Sequence, residues 1–241
     1  MMRLALILLL AAGPAWSDVV ARLDRGAATS DADVLRGAIA DCDAIASDTA
    51  ASARARELAR YGAAYAEWRV AFLPGVDRAE TTKRLAAARA NLRDVIAAHA
   101  ESAEAHTLLA AVLGSMIRAG ADPITTGQEA QRELDEALRL EPNNPRVRLE
   151  EGMNAFFTPA EYGGGHAKAE ASLRRAVALL EREPRDRPWP NWGGFDAHVW
   201  LGQVLAARGD KVAAKQEYEQ ALTFWPQSGW VKYVLLPALN K

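Results

Sequence analysis

The side chains that could carry out chemistry are few, and their spacing argues against a metal site. The sequence has four histidines, which are His99, His106, His166 and His198. They form no His-Glu-x-x-His motif and no cluster with cysteine, the arrangements that hold zinc. His106 and His198 each follow a carboxylate by two residues, a spacing that puts the two side chains on different faces of a helix. We therefore predict packing roles for both histidines and no bound metal.

Nucleophilic catalysis and phosphate binding also have little support. Cys42 is the only cysteine, its predicted helix face is apolar, and no Gly-x-Ser-x-Gly motif is present. Three adjacent glycines, Gly163–Gly165, precede a predicted helix and could aim backbone N–H groups at an anion. The residues that follow lack the Lys-Ser or Lys-Thr pair of a P-loop, which favours a flexible connection. The sequence predicts no enzyme and no cofactor, while a catalytic site assembled from distant residues stays an alternative.

The N-terminal segment is typical of an export signal. It combines a basic start, an apolar run, a helix break and small residues at a cleavage site, which are Arg3, Leu4–Ala12, Gly13-Pro14 and Ala15-Trp16-Ser17. We predict a signal peptide over residues 1–17, cleaved between Ser17 and Asp18. The apolar run is too short to span a membrane after cleavage. We therefore expect a periplasmic or secreted protein.

Charge and composition limit the functional and structural classes to which the protein can belong. The chain has 29 Lys and Arg against 31 Asp and Glu, a near-neutral balance that argues against a general nucleic-acid binder. Helical periodicity appears in nearly every window, and no Val/Ile/Thr alternation indicates a strand. The sequence predicts an all-α protein. A single cysteine cannot form an intramolecular disulfide, so no disulfide scaffold is expected.

The N-terminal region, residues 18–100, is predicted to form helices without a clear repeat. We predict a first helix capped by Ser30 and a second over residues 49–72. An aromatic stripe follows one face of the second helix at three- and four-residue steps and comprises Tyr61, Tyr65, Trp68 and Phe72. A partner helix over residues 77–100 completes a pair. This region could form a degenerate repeat.

Residues 101–241 contain a repeated pattern of helix pairs. The last pair carries small and apolar residues at fixed spacings, which are Leu201-Gly202, Leu205, Gly209, Ala214, Tyr218, Ala221-Leu222 and Pro226. Weaker copies occupy residues 103–140 and 145–183. The pattern resembles the tetratricopeptide repeat (TPR) family. This resemblance implies a solenoid of helical hairpins, with about three recognisable repeats, degenerate N-terminal helices and a C-terminal cap.

The resemblance also implies a groove lined by the first helix of each pair. The second and third pairs supply the candidate binding residues Arg146, Leu149, Met153, Phe156, Val199 and Gln203. Because the centre of this groove is apolar, we predict that it binds a protein or peptide. The alternative is that the N-terminal helices of the same chain fill the groove, because an apolar groove exposed to water promotes aggregation.

Two tryptophans form a second candidate surface. Trp189 and Trp192 lie in a Pro/Gly-rich connection, where they either contact a partner or fold back over the stack. The sequence thus predicts a non-catalytic protein- or peptide-binding scaffold or adaptor of the cell envelope, with no nucleic-acid partner. The alternative function is an accessory component that binds a small molecule or apolar ligand and works with a transporter. The pattern favours neither a monomer nor a dimer.

Overall fold

The computed structural model describes residues 14–184 and 189–240, which form eleven α-helices and no strand. In chain order the helices are α1 (Trp16–Thr29), α2 (Ala32–Ser47), α3 (Ala53–Val70), α4 (Arg78–Ala98), α5 (Ala103–Arg118), α6 (Pro123–Leu140), α7 (Pro145–Phe157), α8 (His166–Leu180), α9 (Gly194–Ala207), α10 (Lys211–Phe224) and α11 (Leu236–Ala238). A 3₁₀ turn, Ala160–Tyr162, precedes α8, and a π-helical turn, Val231–Leu235, precedes α11. The predicted all-α class is confirmed.

Most of the helices begin at a side chain that caps the unpaired backbone N–H groups of the first turn. These caps are Asp31, Ser52, Asp77, Ser102, Asp122, Asn144 and Asp210. The predicted cap Ser30 is wrong, because Ser30 ends α1 with a φ of 54° and the Asp31 carboxylate accepts the capping hydrogen bonds. The repeat pattern predicts a helix that starts at Gly127, but α6 begins four residues earlier at Pro123, because proline fits the first helical turn.

Helix α1 is absent from the sequence-based prediction. It buries Val19 and Leu23, and it packs against α2 and α3. The predicted cleavage point between Ser17 and Asp18 lies in its first turn, and residues 1–13 of the predicted signal peptide lie outside the described residues. The signal peptide and the domain boundaries therefore stay predictions.

The helices stack as five successive antiparallel pairs, from α1/α2 to α9/α10. The first helices of the pairs, which are α1, α3, α5, α7 and α9, contact one another in series and form an inner layer, while the second helices pack outside them. Because these first helices are parallel, their C-terminal ends meet along one edge. The predicted solenoid of helical hairpins is confirmed. None of the helices in the described ranges is long and apolar enough to cross a membrane.

Glycine lies where the two helices of a pair cross most closely. A Cβ atom added at Gly202 would lie 2.5 Å from Cε1 of Tyr218, and one added at Gly152 would lie 2.5 Å from Cγ of Leu173. Both distances are far below van der Waals contact, so a larger residue would push the helices apart. The small residues of the repeat pattern therefore have the packing role that the sequence predicts for them.

Candidate functional site

The N-terminal half of the inner layer is filled by the connection between α8 and α9. Trp189 packs edge-on against Tyr61 of α3, with ring centroids 5.1 Å apart. Trp192 stacks on Tyr65 at 5.8 Å and donates a hydrogen bond of 3.0 Å from Nε1 to the Tyr61 hydroxyl. Trp16 of α1 also packs edge-on against Trp189, with ring centroids 5.7 Å apart. We call this part of the inner layer the filled half.

Arg146, at the start of α7, connects several segments of the filled half through hydrogen bonds and ion pairs. Its side chain is fully buried, donates from Nε to Glu104 at 2.8 Å and from Nη1 to the Trp192 carbonyl at 3.0 Å, and also pairs with Glu183. Burial alone would lower the pKa of Arg146, but Glu104 and Glu183 outweigh it and hold the pKa above its ordinary value. Arg146 therefore has its carboxylate partners within the chain.

The other candidate residues are mostly inside the protein. Leu149, Met153 and Val199 are buried in the core, and Phe156 and Gln203 are half-buried. The groove is thus filled by the chain itself, as in the alternative interpretation, but largely by the tryptophan-bearing connection together with α1 and α3. Burying the tryptophans covers the apolar side chains that an empty groove would expose. A binding role for these residues and for Trp189 and Trp192 stays a prediction.

The C-terminal edge of the inner layer differs from the filled half, because it leaves large aromatic side chains exposed. Phe72 follows α3 with 49% of its surface exposed, and Phe157 ends α7 with 55% exposed. The Arg118 guanidinium, at the end of α5, lies 5.4 Å from the Phe72 ring and 5.9 Å from the Phe157 ring. The rings of Phe157, Phe156 and Trp200 pack against one another in a cluster, with centroid distances of 5.2 to 5.8 Å. We define the rim as Phe72, Arg78, Arg118, Phe156, Phe157 and Trp200.

A cleft of about 310 Å³ opens at the basic end of the rim. It is lined by Phe72, Arg78, Thr81, Arg118, Ala119 and Gly120. Gly120 has a φ of 104°, and the Arg78 guanidinium occupies the space that a side chain at residue 120 would need. The cleft therefore depends on glycine for both its backbone turn and its space.

Arg118 is held by the fold although it has no ion-pair partner among the described residues. Its Nη2 donates to the Ser115 hydroxyl at 2.8 Å, and that hydroxyl accepts a second hydrogen bond, of 2.9 Å, from Nε1 of Trp68. Partial burial lowers the pKa of Arg118 from its ordinary value, while the charge of Glu150 opposes this shift. Desolvation is therefore incompletely offset at this guanidinium, in contrast to Arg146.

Glu150 is a buried acid on α7, and Arg118 is the charge that acts on it. Burial raises the pKa of Glu150 to about 8, and Arg118 lowers it only in part. The carboxyl group is thus mostly protonated at pH 7 and offsets little of the Arg118 charge. Gly114 precedes Arg118 by one turn of α5, and a Cβ atom added there would meet nothing within 4 Å. The inner layer therefore has free space beside Arg118.

A second cleft, of about 400 Å³, lies between α1, α8 and α9 at the edge of the filled half. Tyr65, Trp192, Phe195 and Trp225 are among its lining residues. Arg69 lies 4.4 Å from the Trp225 ring and forms an ion pair of 3.1 Å with Asp196. The lining combines five aromatic side chains with four carboxylates, which are Asp24, Glu181, Glu183 and Asp196.

Within the described part of the chain, the histidines and the acidic residues do not assemble into a metal centre. His106 and His198 are buried, and each forms a hydrogen bond through Nδ1 with a glutamate of the second helix in its pair, at 2.6 Å to Glu133 and 2.7 Å to Glu217. Both histidines thus have the packing role predicted for them. No group of three or more His, Cys, Asp or Glu side chains in residues 14–184 and 189–240 is arranged to hold a metal ion.

Two solved structures share this architecture. The HusA haemophore from Porphyromonas gingivalis is 23% identical, with a TM-score of 0.65, over 81% of this chain and 95% of the haemophore. A thermophilic TPR protein of Thermus thermophilus is 17% identical, with a TM-score of 0.63, over 92% of this chain and all of that protein. No family model matches the chain, and no curated protein matches it in sequence. At these identities the two similarities show a TPR-like helical fold and nothing further.

Sequence reasoning placed Phe156 in the groove but missed the rest of the rim, because the rim residues are spread over four helix pairs. Arg118 follows Phe72 by 46 residues and Phe157 follows Arg118 by 39, and each of the three comes at or just after the end of a first helix. A signal was present, because large aromatic residues and arginine recur at equivalent ends of helices that must lie side by side. Aligning the predicted helix ends, and not only the crossing residues, would have grouped these three positions.

Proposed function

We propose that the protein is a non-catalytic scaffold that binds a protein or peptide partner through the rim. The observation that carries this proposal is the exposed Phe72–Arg118–Phe157 arrangement, in which two aromatic rings at the surface lie 5.4 and 5.9 Å from one guanidinium. Aromatic residues and arginine carry most of the binding energy in protein interfaces. Monomeric proteins rarely leave such side chains together without a partner. The TPR-like fold holds the rim on rigid helix ends and supports this role.

The site of action that we propose is the cell envelope or the exterior. The basic, apolar and small-residue order of the N-terminal segment supports export. A fractionation experiment with an antibody to the C-terminus tests this part separately. Mature protein that begins at Asp18 in the periplasmic or secreted fraction is expected, and full-length protein in the cytoplasm would contradict it.

A second function, binding of a small apolar molecule beside a transporter, is favoured by one specific observation. The cleft of about 400 Å³ near Trp192 and Trp225 has five aromatic side chains in its lining, and one protein with this fold is a haemophore. Pockets for small ligands are commonly apolar and of this size. Native mass spectrometry of the purified protein would detect a retained ligand. Its loss on changing Phe195 or Trp225 to Ala would favour this function over the scaffold.

The scaffold proposal is tested by photo-crosslinking in cells. A photoreactive amino acid replaces Phe72 or Phe157 in the rim, and in a matched control it replaces Val212, which is 74% exposed on the outer helix α10. We expect one partner protein to crosslink from both rim positions and not from residue 212. Crosslinking that is equal at all three positions, or absent from the rim, would show that the rim is not the binding surface.

A further inference from the structure

Arginines close to the inner layer mostly have a carboxylate partner. Three of these ion pairs are Arg69 with Asp196 at 3.1 Å, Arg84 with Glu67 at 2.9 Å, and Arg146 with Glu104 at 2.8 Å. In each pair the carboxylate offsets the cost of withdrawing the guanidinium from water, so the pair belongs to the fold. Arg78 and Arg118 differ, since neither has a carboxylate oxygen within 4.0 Å in residues 14–184 and 189–240.

Arg78 and Arg118 line the same cleft of about 310 Å³. They come from different helices, α4 and α5, and their approach is fixed by the turn at Gly120, which leaves room for the Arg78 guanidinium. Two cations that share a cleft raise its positive potential, and an anion placed between them would be attracted to both. The cleft is therefore complementary to a negatively charged group.

The geometry around Arg118 also limits the shape of what can bind. The guanidinium plane has five N–H donors, and the hydrogen bond to Ser115 uses one of them. The Phe72 and Phe157 ring centroids lie 5.4 and 5.9 Å from the Arg118 guanidinium, so apolar groups of a ligand would meet an aromatic ring next to the cation. Glu150, the acid whose charge acts on Arg118, is mostly protonated at pH 7. It therefore does not neutralise the Arg118 guanidinium.

We propose that the rim binds an acidic segment of the partner protein, whose side-chain carboxylates pair with Arg78 and Arg118 and whose neighbouring apolar side chains lie on Phe72 and Phe157. Arginine forks bind carboxylates through paired hydrogen bonds, which gives direction as well as attraction. The recess between helix ends suits an extended chain better than a flat lipid surface. This inference rests on the proposed scaffold function and specifies its partner.

The test begins with a displayed library of random twelve-residue peptides. The library is selected on the wild-type protein after depletion on the double variant R78Q/R118Q, so that only sequences dependent on the two arginines are kept. Acidic residues flanked by aromatic or aliphatic residues are expected in the enriched set. Enrichment without acidic residues, or no sequence that depends on the two arginines, would overturn the inference.

The strongest enriched peptide is then measured by fluorescence anisotropy beside a counterpart in which every Asp and Glu is replaced by Asn or Gln. For the acidic peptide we expect at least tenfold weaker binding to R78Q/R118Q and clearly weaker binding to R118Q alone. The control R132Q changes an exposed arginine of the outer helix α6 and should bind like wild type. Equal affinity for the acidic and amide peptides would overturn the acidic specificity.

Two further outcomes separate this inference from the scaffold proposal. Rim-specific crosslinks in cells that persist in R78Q/R118Q would overturn the acidic-segment inference and leave the scaffold proposal standing. A second experiment measures binding of the protein to vesicles of phosphatidylcholine with phosphatidylglycerol. Binding to these vesicles that requires both arginines, in the absence of any peptide binding, would assign the rim to a membrane surface and overturn the inference. Thermal melting of each variant confirms that the fold is intact.

Discussion

Two arginines of the inner layer, Arg146 and Arg118, have opposite surroundings. Arg146 is fully buried, pairs with Glu104 and Glu183, and binds the carbonyl of Trp192. Arg118 lies 5.4 and 5.9 Å from the rings of two exposed phenylalanines and has no ion pair among the described residues. One guanidinium therefore holds the connection between α8 and α9 in place, while the other is available at the surface. The paired half of the inner layer therefore maintains the fold, whereas the rim is where we propose that a partner binds.

The largest effect that tests this contrast is the loss of Arg146. Changing Arg146 to Ala removes the cation from a buried ionic network, and breaking such a network costs about 3–5 kcal/mol. Changing Arg118 to Ala removes no ion pair and should alter the free energy of unfolding by less than ~1 kcal/mol. Urea denaturation of both variants beside wild type measures the difference. Similar losses for the two variants would mean that Arg118 is as structural as Arg146.

Gly202 and Gly114 differ in helix packing in the same way that Arg146 and Arg118 differ in charge pairing. Changing Gly202 to Leu forces a side chain into the crossing with Tyr218, and overpacking of this kind costs about 1–3 kcal/mol. Gly114 lies on the open side near Arg118, where an added Cβ meets nothing within 4 Å, so the same change there should cost little. Thermal melting of G202L and G114L provides the measurement. An unchanged melting temperature for G202L would contradict the close helix crossing.

The repeat pattern allowed much of the fold to be predicted, because a close crossing leaves a local signature. Gly202, Tyr218 and their spacing located α9 and α10 correctly, and the earlier pairs followed. Helix α1 was missed because its first turn overlaps an export signal in the sequence. The start of α6 was misplaced because the Asp122 cap and Pro123 were not taken as a helix start.

The candidate site was much harder to predict, because the sequence does not reveal which charges are paired. The repeat pattern places Arg146 in the groove, yet its ion-pair partners come from α5 and from the segment after α8. Arg118 was overlooked, since its exposure depends on where Phe72 and Phe157 lie in three dimensions. Whether an arginine is paired is a property of the tertiary structure.

Glu150 makes the contrast depend on pH, because it connects the buried helix face with the rim. Burial raises its pKa to about 8, whereas in the unfolded chain it has the ordinary value near 4.5. Between these values only the folded state keeps the proton, so stability falls as the pH rises from about 4.5 to 8, by up to ~1.4 kcal/mol per pH unit. E150Q, a neutral isostere, should remove this contribution. Urea denaturation at pH 6 and pH 8 measures it, and an equal slope in E150Q and wild type would contradict the assignment.

The smallest expected effect is a gain in stability from the open side of the inner layer. Changing Gly114 to Ala replaces a poor helix former by the best one, at a site where the new methyl group has room, and should stabilise the protein by up to ~1 kcal/mol. The partner should still bind, because a methyl group leaves the arginine cleft and the rim aromatics in place. Thermal melting and the anisotropy assay together test both parts. If G114A stabilised the protein but abolished binding, the partner would approach the α5 backbone at residue 114, and the binding surface would extend from the rim onto the inner layer.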